Sequence, residues 1–450
     1  MPQPSHHVRH GHAACGAAAN LTNMPQILTV NEALALIEAQ SHPLAAREVP
    51  LREALRLQLA ADVLSDVDSP PHDKALMDGY AVLSNDSSTE RRVLEEIAAG
   101  AMPTQTVTPG TATRIMTGAP LPMGADAVVP IEQSTLTPTG LVRFSMADRQ
   151  PGQHLMRRGD SFRAGQVVVE RGAIIRTLEI GICAEAGCGR VPVIPLPTVC
   201  VLPTGNELVP IDEKPGVGSI RNSNGPMLAA AVREAGYPAR ELEVARDERQ
   251  QIASAIAEAM ESDVVILTGG VSAGTMDLVP GVLESLGVQQ VFHKVSIKPG
   301  KPVWFGVKTH GDGRRTLVFG LPGNPLGSFV CFQVFVRPAL SALAGRGFAG
   351  LRSIAAKLGR EIQHRGDRET FLPLRWVGKL VEPVAWRGSA DLAAWAAAEA
   401  LLRLPAGVTD LPAGQTIEIL PLISGIPATL AAFACDALPP EQKRVASERG

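Results

Sequence analysis

The spacing of apolar residues predicts helices near the start of the chain. Residues 27–62 carry apolar side chains three or four positions apart, at Val30, Ala33, Leu34 and Ile37 and again at Leu51, Leu55 and Leu59. Residues at this spacing share one face of a helix, so we expect two short helices. Helical character returns at about residues 155–186, and we assign 24–62 and 154–192 to one helical, linking domain.

Between these two segments the pattern becomes that of strands. Residues 63–153 are rich in Val, Thr, Gly and Pro and contain short alternating segments, such as 111–117 and 127–131. Alternating segments bounded by turn residues are typical of a small β-barrel or sandwich. The sequence therefore predicts a β-domain at 63–153, inserted within the helical element.

The second half of the chain alternates strands with helices. Strand patterns at 198–202, 263–267 and 316–320 are interleaved with helical patterns at 226–235, 249–260 and 279–286. This order is typical of a parallel sheet between two helical layers, so we expect a three-layer α/β domain at 193–345. Short strands and Pro/Gly turns at 350–424 predict a C-terminal β-barrel-like domain, followed by a tail at 425–450.

Composition excludes some classes of function. The 450 residues are 45% hydrophobic and 19% charged, with a formal net charge of −3, which is ordinary for a globular chain of several domains. A general nucleic-acid or membrane-surface binder needs a basic face, and the sequence shows none. We therefore expect no nucleic acid and no membrane among the partners, and any anion site to be local.

Cysteine usage and the chain start favour the cytoplasm. The six cysteines have no C-x-x-C spacing, which suits a reducing compartment. We find neither an apolar run of roughly 18 residues nor an apolar signal core. Residues 1–23 contain His6, His7, His10 and His12, and we interpret them as a disordered extension, or as the result of a start codon upstream of Met24, rather than as a metal site.

Two glycine-rich loops, each between a strand and a helix, are the strongest chemical signal. One runs from Leu321 through Pro322, Gly323, Asn324 and Pro325; the other contains Gly269, Gly270, Ser272 and Gly274. The first N–H groups of a helix lack partners within the helix, so such loops offer donors to an anion. Two of them close together in the chain predict one elongated anionic ligand at the edge of a parallel sheet.

Carboxylates at the same edge predict a cation. Glu207 follows the predicted strand 198–202, and Asp277 closes the glycine loop that contains Gly269 and Gly270. Carboxylates beside an anion site would repel the ligand unless a cation lay between them, and hard oxygen ligands suit Mg²⁺. The alternative is structural, with Asp277 as a helix N-cap and Glu207 as a solvated charge.

A lysine cluster and an aspartate-rich string complete the candidates. Lys294 and Lys298 would share a face of an extended strand, with Lys301 brought near them by a Pro-Gly turn, and could hold an oxyanion. Lysines guarding an exposed edge strand are the alternative. Asp78, in Met77-Asp78-Gly79-Tyr80-Ala81, and Thr117, before Gly118-Ala119-Pro120, are the remaining unusual polar groups, with ordinary turns as the alternative.

Six motifs together resemble one family. MDGYA, IMTGAP, TGNEL, TGGVSAGTMD, KVSIKPGKP and GLPGNP occur in family order within residues 24–423, and the chain is similar to molybdopterin molybdenumtransferases, whose eukaryotic relative is the C-terminal domain of gephyrin. The resemblance implies insertion of molybdenum from molybdate into adenylylated molybdopterin, with Mg²⁺-dependent cleavage of the phosphoanhydride and release of AMP. The positions that match family site residues are Asp78, Thr117, Glu207, Asp247, Asp277, Lys294, Lys298, Pro322, Pro325 and Ser389.

The resemblance also implies roles and partners. Glu207 and Asp277 would hold the metal, Lys294 and Lys298 would meet molybdate and phosphate, and Asp78 and Thr117 would shape the oxyanion pocket. A homodimer with composite active sites is implied, with the molybdopterin adenylyltransferase and molybdoenzyme apoproteins as possible further partners. Asn206 stands where the family often has Asp, and Pro373 where relatives can carry arginine, so we expect no arginine from the tail in the site.

Two alternatives remain at this stage. A molybdopterin adenylyltransferase would share the α/β domain, but it lacks the MDGYA β-unit and the tail domain. A non-catalytic pterin carrier or scaffold would not need the set formed by Glu207, Asp277, Lys294 and Lys298.

Overall fold

The computed structural model describes residues 27–144, 150–271 and 278–422. The predicted extension at 1–23, the tail at 425–450 and the site candidates Ser272, Gly274 and Asp277 lie outside these residues. Contacts between Cα atoms divide the chain into two compact units. The first unit contains residues up to 40, 198–338 and those from 350 onwards, and the second contains 41–197 and 339–349.

Helices are distributed over both units. The α-helices of the described residues are α1 (Val30–Glu38), α2 (Thr177–Glu185), α3 (Asn224–Glu234), α4 (Arg249–Ala259), α5 (Val279–Ser285), α6 (Pro325–Cys331), α7 (Arg337–Leu343) and α8 (Leu392–Trp395). A π-helical turn, Phe332–Val336, joins α6 to α7, and short 3-10 turns occur at Leu51–Glu53 and Ile131–Gln133.

The first predicted helix is confirmed and the second is wrong. Thr29 and Glu32 form a capping box at the start of α1, whose apolar face buries Val30 and Ile37. At 51–59 the chain instead makes a 3-10 turn and a short strand, because Arg56 has φ +68° and no helix can pass through it. Leu51 and Leu59 are buried there in a core of turns and strands, whereas Leu55 is 53% exposed.

The segment 155–186 is less helical than predicted. Two short strands, Leu155–Met156 and Val167–Val169, precede α2, which is its one helix among the described residues. In addition, the contact-based division assigns residues 27–40 to one unit and 41–62 to the other. The predicted helical domain at 24–62 and 154–192 is therefore helical at α1 and α2, and its other described residues form turns and short strands.

The second unit is built on strands. Its strands are β1 (Arg47–Pro50), β2 (Gln58–Leu59), β3 (Val63–Leu64), β4 (Lys74–Ala75), β5 (Gly79–Val82), β6 (Glu90–Ile97), β7 (Thr111–Ile115), β8 (Ala127–Pro130), β9 (Ser134–Leu136), β10 (Leu141–Phe144), β11 (Leu155–Met156), β12 (Val167–Val169) and β13 (Arg190–Ile194). A six-stranded sheet in the order β8-β5-β7-β6-β10-β9 forms its centre. This is the predicted β-rich region.

The first unit carries an α/β sheet and a barrel. Its strands are β14 (Val199–Pro203), β15 (Leu208–Val209), β16 (Ile220–Arg221), β17 (Ala239–Glu241), β18 (Val264–Thr268), β19 (Gln289–His293), β20 (Ile297–Lys298), β21 (Trp304–Thr309), β22 (Arg315–Leu321), β23 (Ile354–Leu358), β24 (Ile362–Gln363), β25 (Glu369–Val377), β26 (Leu380–Pro383), β27 (Ala400–Leu404), β28 (Asp410–Leu411) and β29 (Thr416–Pro421).

The α/β sheet has the predicted three layers. Its strand order is β17-β14-β18-β22-β21-β19, and the first four strands are parallel. Helix α3 packs with α6, and α4 packs with α5. Strands covered on both faces read as continuous apolar runs, as β14 and β18 do, and every residue of both strands is buried.

The C-terminal domain is a closed barrel. Strands β25, β26, β23, β29 and β27 follow one another, and β25 also pairs with β27, which closes the ring. Strand β20, from the α/β segment, adds to β25 in parallel, with Lys298 opposite Thr370. The predicted fold class, α/β and β with a C-terminal barrel-like domain, is confirmed.

One helical stretch reaches membrane-spanning length. The 19 residues Pro325–Leu343 are apolar enough to cross a bilayer, in contrast to the expectation from sequence, but 83% of their apolar window is buried inside the protein. This burial is typical of a core helix in a globular domain.

Candidate functional site

Three parallel strands end at one edge of the α/β sheet. The last residues of β14, β18 and β22 are in register, with Thr268 opposite both Pro203 and Leu321. Asn224, at the start of α3, donates from Nδ2 to Thr268 Oγ1 (2.8 Å) and to the carbonyl of Gly323 (2.7 Å). These buried hydrogen bonds fix the two glycine loops to each other.

The loop after β18 needs its glycine. Gly269 has φ +91°, and a Cβ on it would lie 2.3 Å from the carbonyl oxygen of Thr204. The same loop is tied to the lysine segment, because His293 Nε2 lies 2.9 Å from the carbonyl oxygen of Val271. Gly269 and Gly270 therefore take up the predicted place at the sheet edge.

The loop after β22 connects the sheet to the barrel. Asn324 precedes α6 as its N-cap, but its Nδ2 donates to Ser389 Oγ at 2.8 Å instead of capping the helix. The backbone N–H of Leu326 also reaches the carbonyl of Ser389, at 3.3 Å. Ser389, taken from the resemblance alone, thus contacts the predicted Leu321–Pro325 loop.

A cavity of about 750 Å³ opens where the loop, the lysine segment and the barrel meet. Six of the predicted residues line it: Lys298, Lys301, Pro322, Gly323, Asn324 and Ser389. The barrel adds Arg368, Trp386 and Gly388 to its wall. This volume lies within the roughly 300–1,000 Å³ of small-molecule sites.

The charge lining this cavity is entirely positive. Lys298, Lys301 and Arg368 are the ionisable residues of its wall, and no Asp or Glu is part of that wall among the described residues. Arg368 is about one-third exposed, and its Nε lies 3.4 Å from Asp367 Oδ1. Three cations beside the loop Leu321–Pro325 make a site for a multiply charged oxyanion.

Arg368 and Trp386 were missed from the sequence. The expectation that no tail arginine joins the site differs from the structure, because β25 pairs with β20 and carries Arg368 to Lys298. One feature of the sequence could have indicated Arg368, namely the charged run Arg365-Gly366-Asp367-Arg368-Glu369 at the start of a strand. Nothing local indicated Trp386.

Lys294 does not line the cavity, and its predicted alignment with Lys298 is wrong. Strand β19 ends at His293, and Lys294 has φ +74°, so the chain turns there instead of running extended to Lys298. The backbone of Lys294 is held by Val303 and Leu28. Pro325, also predicted, is the first residue of α6 and is not part of this wall.

Glu207 lies at the same sheet edge as an exposed carboxylate. A Cβ on Gly205, which has φ +143°, would lie 2.5 Å from Glu207 Oε2, so the glycine leaves room for this group. The described residues contain no group of three His, Cys, Asp or Glu able to hold a metal. Mg²⁺ is commonly held by one or two carboxylates with substrate phosphates and water, and Glu207 fits that pattern.

Asp247 is engaged with the residue that departs from the family pattern. Its Oδ2 accepts from the N–H of Asn206 at 3.2 Å, and its own N–H donates to Asn206 Oδ1 at 3.0 Å. The amide of Asn206 supplies the acceptor that this reciprocal pair needs. Asp247 therefore orders the loop that carries Glu207.

Asp78 and Thr117 lie together in the second unit. Thr117 donates to Asp78 Oδ1 from both its hydroxyl and its backbone N–H, each at 2.7 Å. These bonds, side chain first, hold the pKa of Asp78 below its ordinary value, and the charge of Arg114 acts in the same direction. Thr117 therefore keeps the carboxylate of Asp78 ionised.

Family models match the chain in three consecutive parts. The model described as MoeA N-terminal region (domain I and II) matches residues 28–187, and the probable molybdopterin binding domain matches 200–342. The model described as MoeA C-terminal region (domain IV) matches 355–422. The regions of the sheet edge and of the barrel wall are both included.

Curated relatives and solved structures agree with these matches. Proteins named molybdopterin molybdenumtransferase from Staphylococcus aureus (strain Mu50) and Staphylococcus epidermidis are each 32% identical to this chain, covering 87% of it and 95% of their own length. The crystal structure of a molybdopterin biosynthesis MoeA protein from Pyrococcus horikosii is 30% identical, with a TM-score of 0.75, and covers 88% of this chain and 100% of its own.

Proposed function

The chain belongs to the molybdopterin molybdenumtransferase family, and from this premise we propose the reaction that it carries out. As an enzyme of molybdenum cofactor biosynthesis it inserts molybdenum into molybdopterin. The proposed substrate form is adenylylated molybdopterin. One oxo group of molybdate leaves as water with the two dithiolene thiol protons, and a second water cleaves the phosphoanhydride to give AMP.

The cationic cavity is the observation that carries this proposal. Molybdate and the phosphoanhydride are both multiply charged oxyanions, and the wall offers them Lys298, Lys301 and Arg368, with no Asp or Glu among its described residues. Asp367 lies beside Arg368 but outside this wall. Fixed cations placed where anionic charge accumulates stabilise both the bound ligands and the charge of the departing AMP. The two glycine loops would orient the rest of the extended ligand.

Mg²⁺ is the proposed cofactor, with Glu207 and Asp277 as the residues that would hold it. When bound, it would polarise the phosphoanhydride as a Lewis acid. Asp247 and Asn206 keep the loop of Glu207 in place through their paired hydrogen bonds. Asp78, kept ionised by Thr117, would shape the oxyanion pocket of the partner subunit in the proposed homodimer.

Release of AMP tests the reaction directly. We expect AMP from adenylylated molybdopterin when molybdate and Mg²⁺ are both present, and little AMP when either is withheld. AMP release that is independent of molybdate would contradict coupled insertion. Glu207→Ala should lower the Mg²⁺-dependent rate while leaving the affinity for molybdopterin nearly intact, because the lost group positions metal rather than phosphate.

The proposed assembly is a homodimer in the cytoplasm. A second copy of the chain would bring its Asp78 corner to the sheet edge, which gives two composite sites by two-fold symmetry. The same proposal includes transfer of adenylylated molybdopterin from a molybdopterin adenylyltransferase and delivery of the molybdenum cofactor to molybdoenzyme apoproteins. The adenylyltransferase alternative is disfavoured, because the matched regions 28–187 and 355–422 lie outside the α/β domain that such an enzyme shares.

A further inference from the structure

A second, smaller cavity of about 380 Å³ lies on the barrel beside the cationic one. Its wall comes mainly from β24, the first half of β25 and the segment after β26. Of these barrel residues, Pro373 alone was named from the sequence, as a position where relatives can carry arginine, and the reaction described above does not use them. The cavity is large enough for a small ring system.

The two cavities share two wall residues. Lys298 and Trp386 line both of them. Lys298 is opposite Thr370 in the β20–β25 pairing, so its side chain stands at the boundary. A single ligand can therefore place an anionic group near Lys298 and extend past it into the second cavity.

The chemistry of the second cavity differs from that of the first. Its apolar wall residues include Leu372, Val384 and Trp386. Its polar wall residues include Gln363 and His364, and also Glu361, whose negative charge disfavours a second oxyanion. Uncharged polar groups and an aromatic ring in one cavity suit a flat ring with nitrogen donors and acceptors on its edge.

Two contacts hold these groups in place. His364 Nε2 lies 3.1 Å from Thr370 Oγ1, and burial, followed by the nearby charge of Lys298, lowers the pKa of His364, which favours the neutral imidazole. Trp386 meets Trp395 edge to face, with ring centroids 5.6 Å apart, so a second ring packs against the indole. These contacts preorganise His364 and Trp386.

We propose that this cavity binds a planar nitrogen heterocycle of the substrate, stacked on Trp386 and bonded at its edge by Gln363 and His364, with the attached phosphate at Lys298. The inference rests on the proposed function, since adenylylated molybdopterin carries two such rings, adenine and pterin. Both rings are linked to the phosphoanhydride, and the experiment separates them.

Calorimetric titration of the full chain with AMP, with molybdopterin and with inorganic phosphate tests the proposal. Trp386→Leu should weaken binding of at least one of the two ring ligands by about 5- to 150-fold, the range of aromatic stacking on a base, and change phosphate binding less than about 2-fold. Gln363→Leu, at an exposed residue that lines only the second cavity, should weaken the same ligand by roughly 2- to 10-fold.

The controls are Trp376→Leu and Gln415→Leu, in the same barrel but outside both cavity walls. They should leave all three affinities within about 2-fold of wild type. If the test variants bind AMP alone more weakly, the bound ring is adenine. If they bind molybdopterin alone more weakly, it is the pterin. If they bind both more weakly, either ring can enter the cavity.

Unchanged AMP and molybdopterin affinities in both test variants would overturn the proposal, as would an equal loss for phosphate. These outcomes are independent of turnover. If wild type releases AMP in the presence of molybdate but ring binding is unaffected, the cavity assignment fails and the reaction stands. If ring binding weakens as expected but no AMP is released, the reaction fails and the cavity stands.

Discussion

The cationic cavity of the first unit and the Asp78 corner of the second differ in how their charges are satisfied. Asp78 already accepts two hydrogen bonds from Thr117, so its charge is compensated within the protein. The cavity instead gathers Lys298, Lys301 and Arg368 with no acidic residue among the described part of its wall. A charge that the protein compensates internally helps to hold a group in position. Like charges gathered around a cavity instead attract a ligand of opposite charge.

The same contrast appears in the surrounding backbone. Asp78 immediately precedes β5, whose first residue, Gly79, pairs with both Ile115 and Pro130. The cavity is built where the regular structure stops, at the turn through Pro299 and Gly300 and at the loop through Pro322, Gly323 and Asn324. Regular strands hold one group at a fixed point, while loops between elements gather groups from several elements around one ligand.

The largest expected effect comes from mutating the Asp78 corner and the cationic cavity in different subunits. Asp78→Ala and Lys298→Ala homodimers should each lose more than about 100-fold in molybdenum insertion, since both groups belong to one proposed composite site. Co-refolding the two variants should restore activity. About half of the dimers are then mixed, each with one intact site, so roughly a quarter of wild-type activity is expected.

Exposed charges elsewhere provide the controls. Two control variants should retain activity. Glu132→Ala lies next to Ile131, whose N–H donates to the carbonyl of Asp78, and Lys357→Ala lies on the barrel. Absence of recovery after subunit exchange has been verified by mass spectrometry would place both groups of the site within one chain.

The next effect separates the two lysines of the cavity. Lys298 is half-buried and stands between two cavities, whereas Lys301 is exposed. Lys298→Ala should raise the molybdate concentration for half-maximal rate by roughly 10- to 100-fold, because a charge-assisted contact of about 1.5–3 kcal/mol is lost. Lys301→Ala should raise it by about 2- to 5-fold, because solvent screens its charge. Equal effects would contradict this ranking.

The α/β domain could be predicted closely from sequence because burial leaves a simple pattern. The predicted strands 198–202, 263–267 and 316–320 are found within one or two residues, as β14, β18 and β22. Each is an apolar run covered by helices on both faces, and such a run has few alternatives. At 51–59 the same reasoning failed, since a 3-10 turn and a short strand bury Leu51 and Leu59 and leave Leu55 exposed.

The site could be predicted only as far as its local turns. The loop Leu321–Pro325 and Lys298 carry their signals within a few residues. Arg368 and Trp386 reach the cavity because β20 pairs with β25, about 70 positions away in the chain, and no local pattern reports such a pairing. Lys294 was misplaced for the converse reason, because a single left-handed residue overturns the face assignment of a strand.

A smaller effect concerns the compensated charge of Asp78. Thr117→Val removes the hydroxyl that contributes most to lowering the pKa of Asp78, so that pKa should rise towards its ordinary value. If catalysis needs the ionised carboxylate, activity falls as pH drops through this pKa. The acidic limb of the pH–rate profile should therefore move to higher pH in Thr117→Val, with the rate near pH 7 reduced only about 2- to 5-fold. A profile that keeps its acidic limb would show that Asp78 acts through packing.

The smallest expected effect comes from a carboxylate that resembles Asp78 in charge but lies outside the site. Glu179 caps α2, and its hydrogen bonds with Arg176 lower its pKa from 4.5 to about 2. A lowered pKa stabilises the folded state above the unfolded value, and this contribution is lost as pH falls from about 4.5 to about 2. Because the pair is an i,i+3 contact in which the Arg176 side chain is 75% exposed, solvent screens it. Glu179→Gln should therefore lower the melting temperature by about 1 °C at pH 7, with a difference that shrinks below pH 4.5. Its rate of molybdenum insertion should equal that of wild type, since this carboxylate serves only a helix end. A loss of rate in Glu179→Gln as large as in Thr117→Val would mean that any ionised carboxylate in this unit affects turnover, and would remove the special role of the Asp78 corner.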